Sequence, residues 1–145
     1  MKHFGFDLAR VELRPTTMNH LVEYGDVDIA LDTFPYTGGV TTCEALYMGV
    51  PVVSLYGERH GSRFGLSMLS NVGLEELAVA SYDEYINRAV ALASDWELLT
   101  LLRKNLRTMM EKSPLMDSAN YLHEIQEAFI KILDAERKNF PSAKR

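Results

Sequence analysis

The sequence predicts an α/β domain: a Rossmann-like parallel sheet flanked by helices, running on into a helical carboxyl-terminal segment. Three observations carry that expectation. Ile29-Ala30-Leu31 is a short apolar run bounded by acids, and Pro51 to Tyr56 opens a second apolar run; strands buried on both faces read this way. Between the two runs lie turn-forming residues and then helix formers, which is the order of a βαβ unit. From Ser81 onward, apolar residues recur at spacings of three and four behind two Ser-x-x-Glu starts, the mark of amphipathic helices.

Taken in order, Arg10 to Arg14 alternates around Val11 and Leu13 and is expected to be a strand. Pro15-Thr16-Thr17 breaks it, and Met18 to Tyr24 is expected to be a helix stopped at Gly25. That would be one strand–loop–helix unit ahead of the next, with both loops facing one crevice at the strands' carboxyl ends. In the second unit, Thr33, Pro35, Thr37, Gly38 and Gly39 hold the chain out of regular structure, Thr41 and Thr42 stand at a helix N-cap, and Gly49 ends the helix. Gly57 to Gly61 forms the next loop, Ser62 to Leu69 a helix, and Leu77 to Val79 a last strand. Two capping boxes, Ser81-x-x-Glu84 and Ser94-x-x-Glu97, open helices with the stripes Tyr85, Ile86, Ala89, Val90, Ala93 and Leu99, Leu102, Leu106, Met109, Met110. Ser113-Pro114 stops the second. The final helix is expected from about Ser118 to Ala135.

The turn before the Thr41 helix points to an anion. Glycines at 38 and 39 let backbone approach a bound group closely and permit positive φ. The helix start offers unpaired amides and partial positive charge, so a phosphate there needs no lysine. Glu44 is expected in the first helical turn, where a carboxylate turned away from the phosphate would suit the two hydroxyls of a ribose. A purely structural role, with the threonines capping the helix and Glu44 favouring its dipole, explains the same residues. The crevice loop past Tyr56 adds Glu58 and Arg63; Arg63 could meet a diphosphate, or simply bond Glu58 or a helix end.

The string Glu44-Ala-Leu-x-x-Gly-x-Pro-Val-Val53 resembles the nucleotide-sugar motif of GT-B glycosyltransferases. The wider run LDTFPYTGGVTTCEALYMGVPVVSLYGERHGSR, from Leu31 to Arg63, is similar to the O-linked N-acetylglucosamine transferases and their bacterial and plant Spindly-like relatives. The likeness runs from about Arg10 to Leu133. It implies the donor-binding half of an inverting, UDP-sugar-dependent protein O-glycosyltransferase, with UDP-N-acetylglucosamine as donor and a Ser or Thr hydroxyl as acceptor. It assigns nucleotide-sugar contacts to His20, Gly38, Gly39, Val40, Thr41, Thr42 and Glu44. Thr17 stands where well-known members carry a lysine near the diphosphate, so that charge contact is missing. The general base would come from upstream sequence. The implied organisation is a partial GT-B carboxyl-terminal domain over residues 1–113, incomplete at its amino end, a helix over 114–137 packing on it, and a flexible tail over 138–145. Such a fragment is expected to be inactive alone.

Composition narrows the alternatives. A net charge of −5 argues against nucleic acid as the main partner. There is no run of roughly 18 apolar residues, so no membrane span is expected. One cysteine, Cys43, excludes an intrachain disulfide and fits a reducing compartment, here the cytoplasm. The four histidines show no metal spacing, so no metal or other cofactor is expected. A Cys43 nucleophile would need a lowered pKa and a base. No Walker Lys-Ser/Thr and no third glycine at dinucleotide spacing follow the Gly-Gly pair. Two other readings remain at this level: a nucleotide-sugar epimerase of the same architecture, and a non-catalytic module that self-associates through its sheet edge and last helix.

Overall fold

The computed structural model describes Gly5 and residues 7–139. Among the described residues nine elements, together with short 3-10 turns, make up the architecture: α1 (His20–Glu23), β1 (Ala30–Leu31), α2 (Val40–Tyr47), β2 (Val52–Leu55), α3 (Phe64–Asn71), β3 (Ala78–Val79), α4 (Tyr82–Ser94), α5 (Trp96–Glu111) and α6 (Ser118–Asn139). The strands form one parallel sheet in the order β1-β2-β3, with Ala30 opposite Val52 and Ser54 opposite Ala78. Each crossover passes through a helix, as parallel neighbours require. All four residues of β2 are buried. Successive side chains point to opposite faces, so both faces of the central strand are covered. The α/β class and the Rossmann-like parallel arrangement are as the sequence predicts.

The core joins β2 (Val52, Val53) to Ala45 and Leu46 of α2, Leu69 of α3, and Leu99, Leu102, Leu106 and Met110 of α5. The α5 stripe is therefore the expected one. On α4 the buried line is Tyr85, Ala89 and Leu92, while Ile86 and Val90 are about 60% exposed. The expected stripe was too wide and also missed Leu92, the buried residue of α4, while it included exposed Ala93; a helix laid on a three-stranded sheet buries only a narrow face. The first capping box forms: Ser81 Oγ accepts from the Glu84 amide at 3.2 Å and the Glu84 carboxylate reaches the Ala80 amide at 3.3 Å. The second does not. Asp95 takes the cap, accepting from the Leu98 amide at 2.9 Å, and Ser94 donates back to the Val90 carbonyl.

Two expectations about the amino-terminal part are corrected. Arg10 to Arg14 is not a strand; Leu8–Arg10 is a 3-10 turn and the residues after it run without a ladder partner. Alternation makes a strand only where a neighbouring strand accepts its hydrogen bonds, and here Arg14 instead pairs with Glu12, Glu23 and Asp26. The helix after Pro15–Thr17 is a single turn that continues as 3-10 through Tyr24–Asp26 rather than stopping at Gly25, which has no positive φ. Gly49 does end α2 as expected. Its φ is +83°, and a Cβ there would sit 2.9 Å from the Arg103 carbonyl oxygen.

The last helix meets chiefly the turn at Pro114–Met116, and only Ile125 of its apolar stripe is half-buried. Tyr121, Leu122, Phe129, Ile132 and Leu133 are each more than half exposed. Among the described residues no helix is long and apolar enough to cross a membrane. The tail expected at 138–145 falls largely outside the described residues.

Candidate functional site

The site sits where loops leave the carboxyl ends of the strands. Its centre is Asp32, directly after β1. One carboxylate oxygen accepts from the Gly38 amide and the other from the Ser54 hydroxyl, each at 2.7 Å. The Tyr85 hydroxyl donates to the Asp32 carbonyl at 2.8 Å. Buried Thr37 donates to the Gly61 carbonyl at 3.1 Å, which ties the β1–α2 loop to the loop after β2. A Cβ on Gly65 would press on Ser54 and Asp32 Oδ2, so glycine at the start of α3 lets this carboxylate sit between helix and strand.

That scaffold sets the start of α2. The helix begins at Val40, with Gly39 as N-cap and no side-chain cap. Thr41 and Thr42 are thus inside the first turn, not at the cap, and Glu44 falls in the second turn rather than the expected first, away from the strongest part of the helix dipole. The reason is Asp32: by holding the Gly38 amide it turns the backbone into the helix earlier than threonine capping would. Neither Gly38 nor Gly39 adopts positive φ. Gly38 is required by crowding instead, since a Cβ would lie 2.6 Å from Thr42 Oγ1 and 2.8 Å from Thr41 Oγ1. Nothing stands within 4 Å of a Cβ on Gly39.

The amides divide cleanly. Gly38 donates to Asp32, and Thr42 and Cys43 donate to the Gly39 carbonyl at 3.1 and 3.2 Å. The amides of Gly39, Val40 and Thr41 have no acceptor among the described residues. Unpaired donors at a helix start are what an anion engages.

Across from α2, His20 opens α1 and its Nε2 lies 3.1 Å from Glu44 Oε1. The structure thus brings together two residues distant in sequence and separately singled out there. Tyr24 donates to the Thr41 carbonyl at 3.4 Å; burial, with the Glu44 charge beside it, pushes its phenol pKa up. Tyr24 also separates two hollows. One, about 190 Å³, is lined by Asp32, Thr33, Gly38, Thr41 and Thr42 among others; the second, about 310 Å³, by Pro15, Thr16, Thr17, His20 and Glu23. The second by itself reaches the range of ligand clefts, roughly 300–1,000 Å³; the first is smaller. A larger hollow of about 670 Å³ lies along the outer face of α5 and gathers none of these groups.

Thr17 faces the second hollow. Arg63 donates to the Gly57 carbonyl at 3.2 Å and its guanidinium lies over the Tyr56 ring at 5.5 Å, while Glu58 is exposed and forms no ion pair with it. Cys43 is half-buried with its thiol 3.6 Å from Met68 Sδ. Burial, then Glu44, raises its pKa, the reverse of what a nucleophile needs. Among the described residues no three His, Cys, Asp or Glu side chains gather as a metal site. Sequence reasoning missed the roles of Asp32, Ser54 and Tyr24; an acid closing an apolar strand just before a glycine turn was the available signal for the first.

Comparison with known proteins bears on the family and the fold. The model of glycosyl transferase family 41 matches residues 9–125. A probable UDP-N-acetylglucosamine–peptide N-acetylglucosaminyltransferase SPINDLY of Solanum lycopersicum is 44% identical over 132 residues, covering 89% of this chain and 14% of that protein. A UDP-N-acetylglucosamine–peptide N-acetylglucosaminyltransferase of Caenorhabditis elegans is 31% identical over 100 residues, 69% of this chain and 9% of that protein. Among solved structures, a mutant O-GlcNAc transferase of Thermobaculum terrenum superposes with a TM-score of 0.80 at 37% identity, covering 88% of this chain and 25% of that one. The chain spans about a seventh of the length of the SPINDLY relatives it matches. On the family match, the identities and the shared fold, the chain belongs to glycosyl transferase family 41.

Proposed function

We propose that this chain forms the donor-binding portion of a UDP-sugar-dependent protein O-glycosyltransferase, the donor being UDP-N-acetylglucosamine and the acceptor a Ser or Thr hydroxyl. The observation that carries the reading is the set of open amides on Gly39, Val40 and Thr41, next to a carboxylate already oriented by a histidine. In this reading the pyrophosphate docks on those amides, with the Thr41 hydroxyl as an added donor. Glu44 keeps one oxygen toward His20 and offers the other to the ribose hydroxyls. Charge developing on the β-phosphate as the sugar leaves is stabilised by the same amides, fixed in advance by the Asp32 scaffold. The reaction inverts the anomeric centre; no metal takes part. The general base and the acceptor groove belong to sequence outside this chain, so the chain binds donor and transfers nothing alone.

Thermal unfolding with UDP, UDP-N-acetylglucosamine, GDP and NAD side by side tests this. At a hundredfold excess over Kd, UDP stabilises the folded state by about 2.7 kcal/mol. For a chain of this size that raises Tm on the order of 5–10 °C. No shift at millimolar UDP, or an equal shift with NAD, would contradict the proposal.

A further inference from the structure

The short segment that carries His20 is held at its surface by Arg14, which pairs with Glu23 and Asp26, and by Tyr24 and Val27, which pack partly against the core. Neither α1 nor the 3-10 turn Tyr24–Asp26 buries a single residue, and α1 packs chiefly against that turn. Four residues of isolated helix are far below the length that is stable in water. Yet His20 stands at hydrogen-bond distance from Glu44 on a different helix.

Arg103, on α5, adds the tie that fixes the segment's carboxyl end. Its guanidinium donates to three backbone carbonyls at the carboxyl end of this segment: Val27 at 2.9 Å, Tyr24 at 3.0 Å and Gly25 at 2.9 Å. Those carbonyls are the negative end of the turn, where a fixed cation is favoured twice, by charge and by hydrogen bonding. The backbone of the same residue closes against α2, because the Arg103 carbonyl oxygen lies over Gly49, the residue that ends the helix bearing Glu44. One residue therefore touches both walls of the cleft, one through its side chain and one through its main chain.

We propose that Arg103 is a positioning residue that sets the span between His20 and Glu44 and so the shape of the nucleotide cleft. Its effect on nucleotide affinity rests on the donor-binding reading above; its effect on the His20–Glu44 contact does not. Arg107, one turn further along α5, is the matched control. It donates to the Tyr47 carbonyl at 3.1 Å and stacks over the Tyr47 ring at 4.3 Å, so its loss also uncaps backbone, but away from α1.

The test uses the full chain without nucleotide and then with UDP. Nuclear Overhauser contacts between the His20 imidazole and the Glu44 methylene protons report the span directly. Arg103→Met is expected to weaken that cross-peak by more than about half and to raise the Kd for UDP about tenfold, since binding constellations tolerate only about 0.5 Å of drift. Both are read at a temperature where circular dichroism shows the variant fully folded. Arg107→Met is expected to lower Tm while leaving the cross-peak and Kd unchanged. Should Arg103→Met fail to fold, Arg103→Lys decides, because an ammonium keeps the charge but cannot span three carbonyls. An unaltered His20–Glu44 cross-peak in a folded Arg103 variant overturns the proposal. Absence of UDP binding by the wild-type chain would overturn the donor-binding reading and leave the cross-peak to judge Arg103.

Discussion

Asp32→Ala is expected to lower the unfolding free energy by about 2–5 kcal/mol and to remove UDP binding. The carboxylate is the shared partner of the Gly38 amide and the Ser54 hydroxyl. Ser54 is fully buried, so its hydroxyl cannot turn to water once the acceptor is gone. Leaving a buried donor unpaired costs about 1–3 kcal/mol for each group. The loss does not stop at stability. Without the Gly38 anchor, the turn is free to let α2 start elsewhere, and the three open amides no longer share one direction. Asp32→Asn keeps the acceptor toward Gly38 and lets the amide group donate to Ser54, so most of the stability should return. Urea unfolding followed by circular dichroism measures both variants; equal midpoints for Asp32→Ala and wild type would show that Asp32 is not the scaffold's centre.

Glu44→Ala should behave in the opposite way, sparing the fold and damaging the site. Its carboxylate, 24% exposed, faces His20, which is 55% exposed, with the Tyr24 phenol nearby, and an ion pair open to solvent on one side contributes little to stability. Hydrogen bonds from ligand hydroxyls to a carboxylate are another matter, worth about 1.5–3 kcal/mol. Calorimetry with UDP is therefore expected to show that much loss of affinity for Glu44→Ala, with Glu44→Gln in between and Tm within a degree or so of wild type on the scale set by chain size. Equal UDP affinity for wild type and Glu44→Ala would withdraw the ribose role.

Most of this fold was legible because its signals are local. Gly49 before Pro51, the apolar run at Val52–Leu55, and the three-and-four spacing of Leu99, Leu102, Leu106 and Met110 each read correctly from short windows. The errors came where a distant partner decides. Arg10 to Arg14 has strand periodicity but no neighbouring strand among the described residues. Thr41 and Thr42 have cap chemistry, but Asp32 sets the helix start first. Ser94 is the exception, since its competitor is the neighbouring Asp95, whose charged carboxylate makes the stronger bond to an N-cap amide. The site was legible in part for the same reason. The glycine turn and Glu44 lie within one βαβ unit, whereas the contact with His20 spans two elements. Arg103 reaches Val27 across 76 residues, a separation that no sequence window crosses.

The claim at the centre is that free amides at the start of α2 receive the pyrophosphate. Titrating ¹⁵N-labelled protein with UDP reads those amides one by one. The account predicts the largest shifts at Gly39, Val40 and Thr41, with smaller ones at Gly38, Thr42 and Cys43, whose donors are already committed. UDP binding that leaves Gly39, Val40 and Thr41 unmoved while resonances elsewhere shift would contradict it.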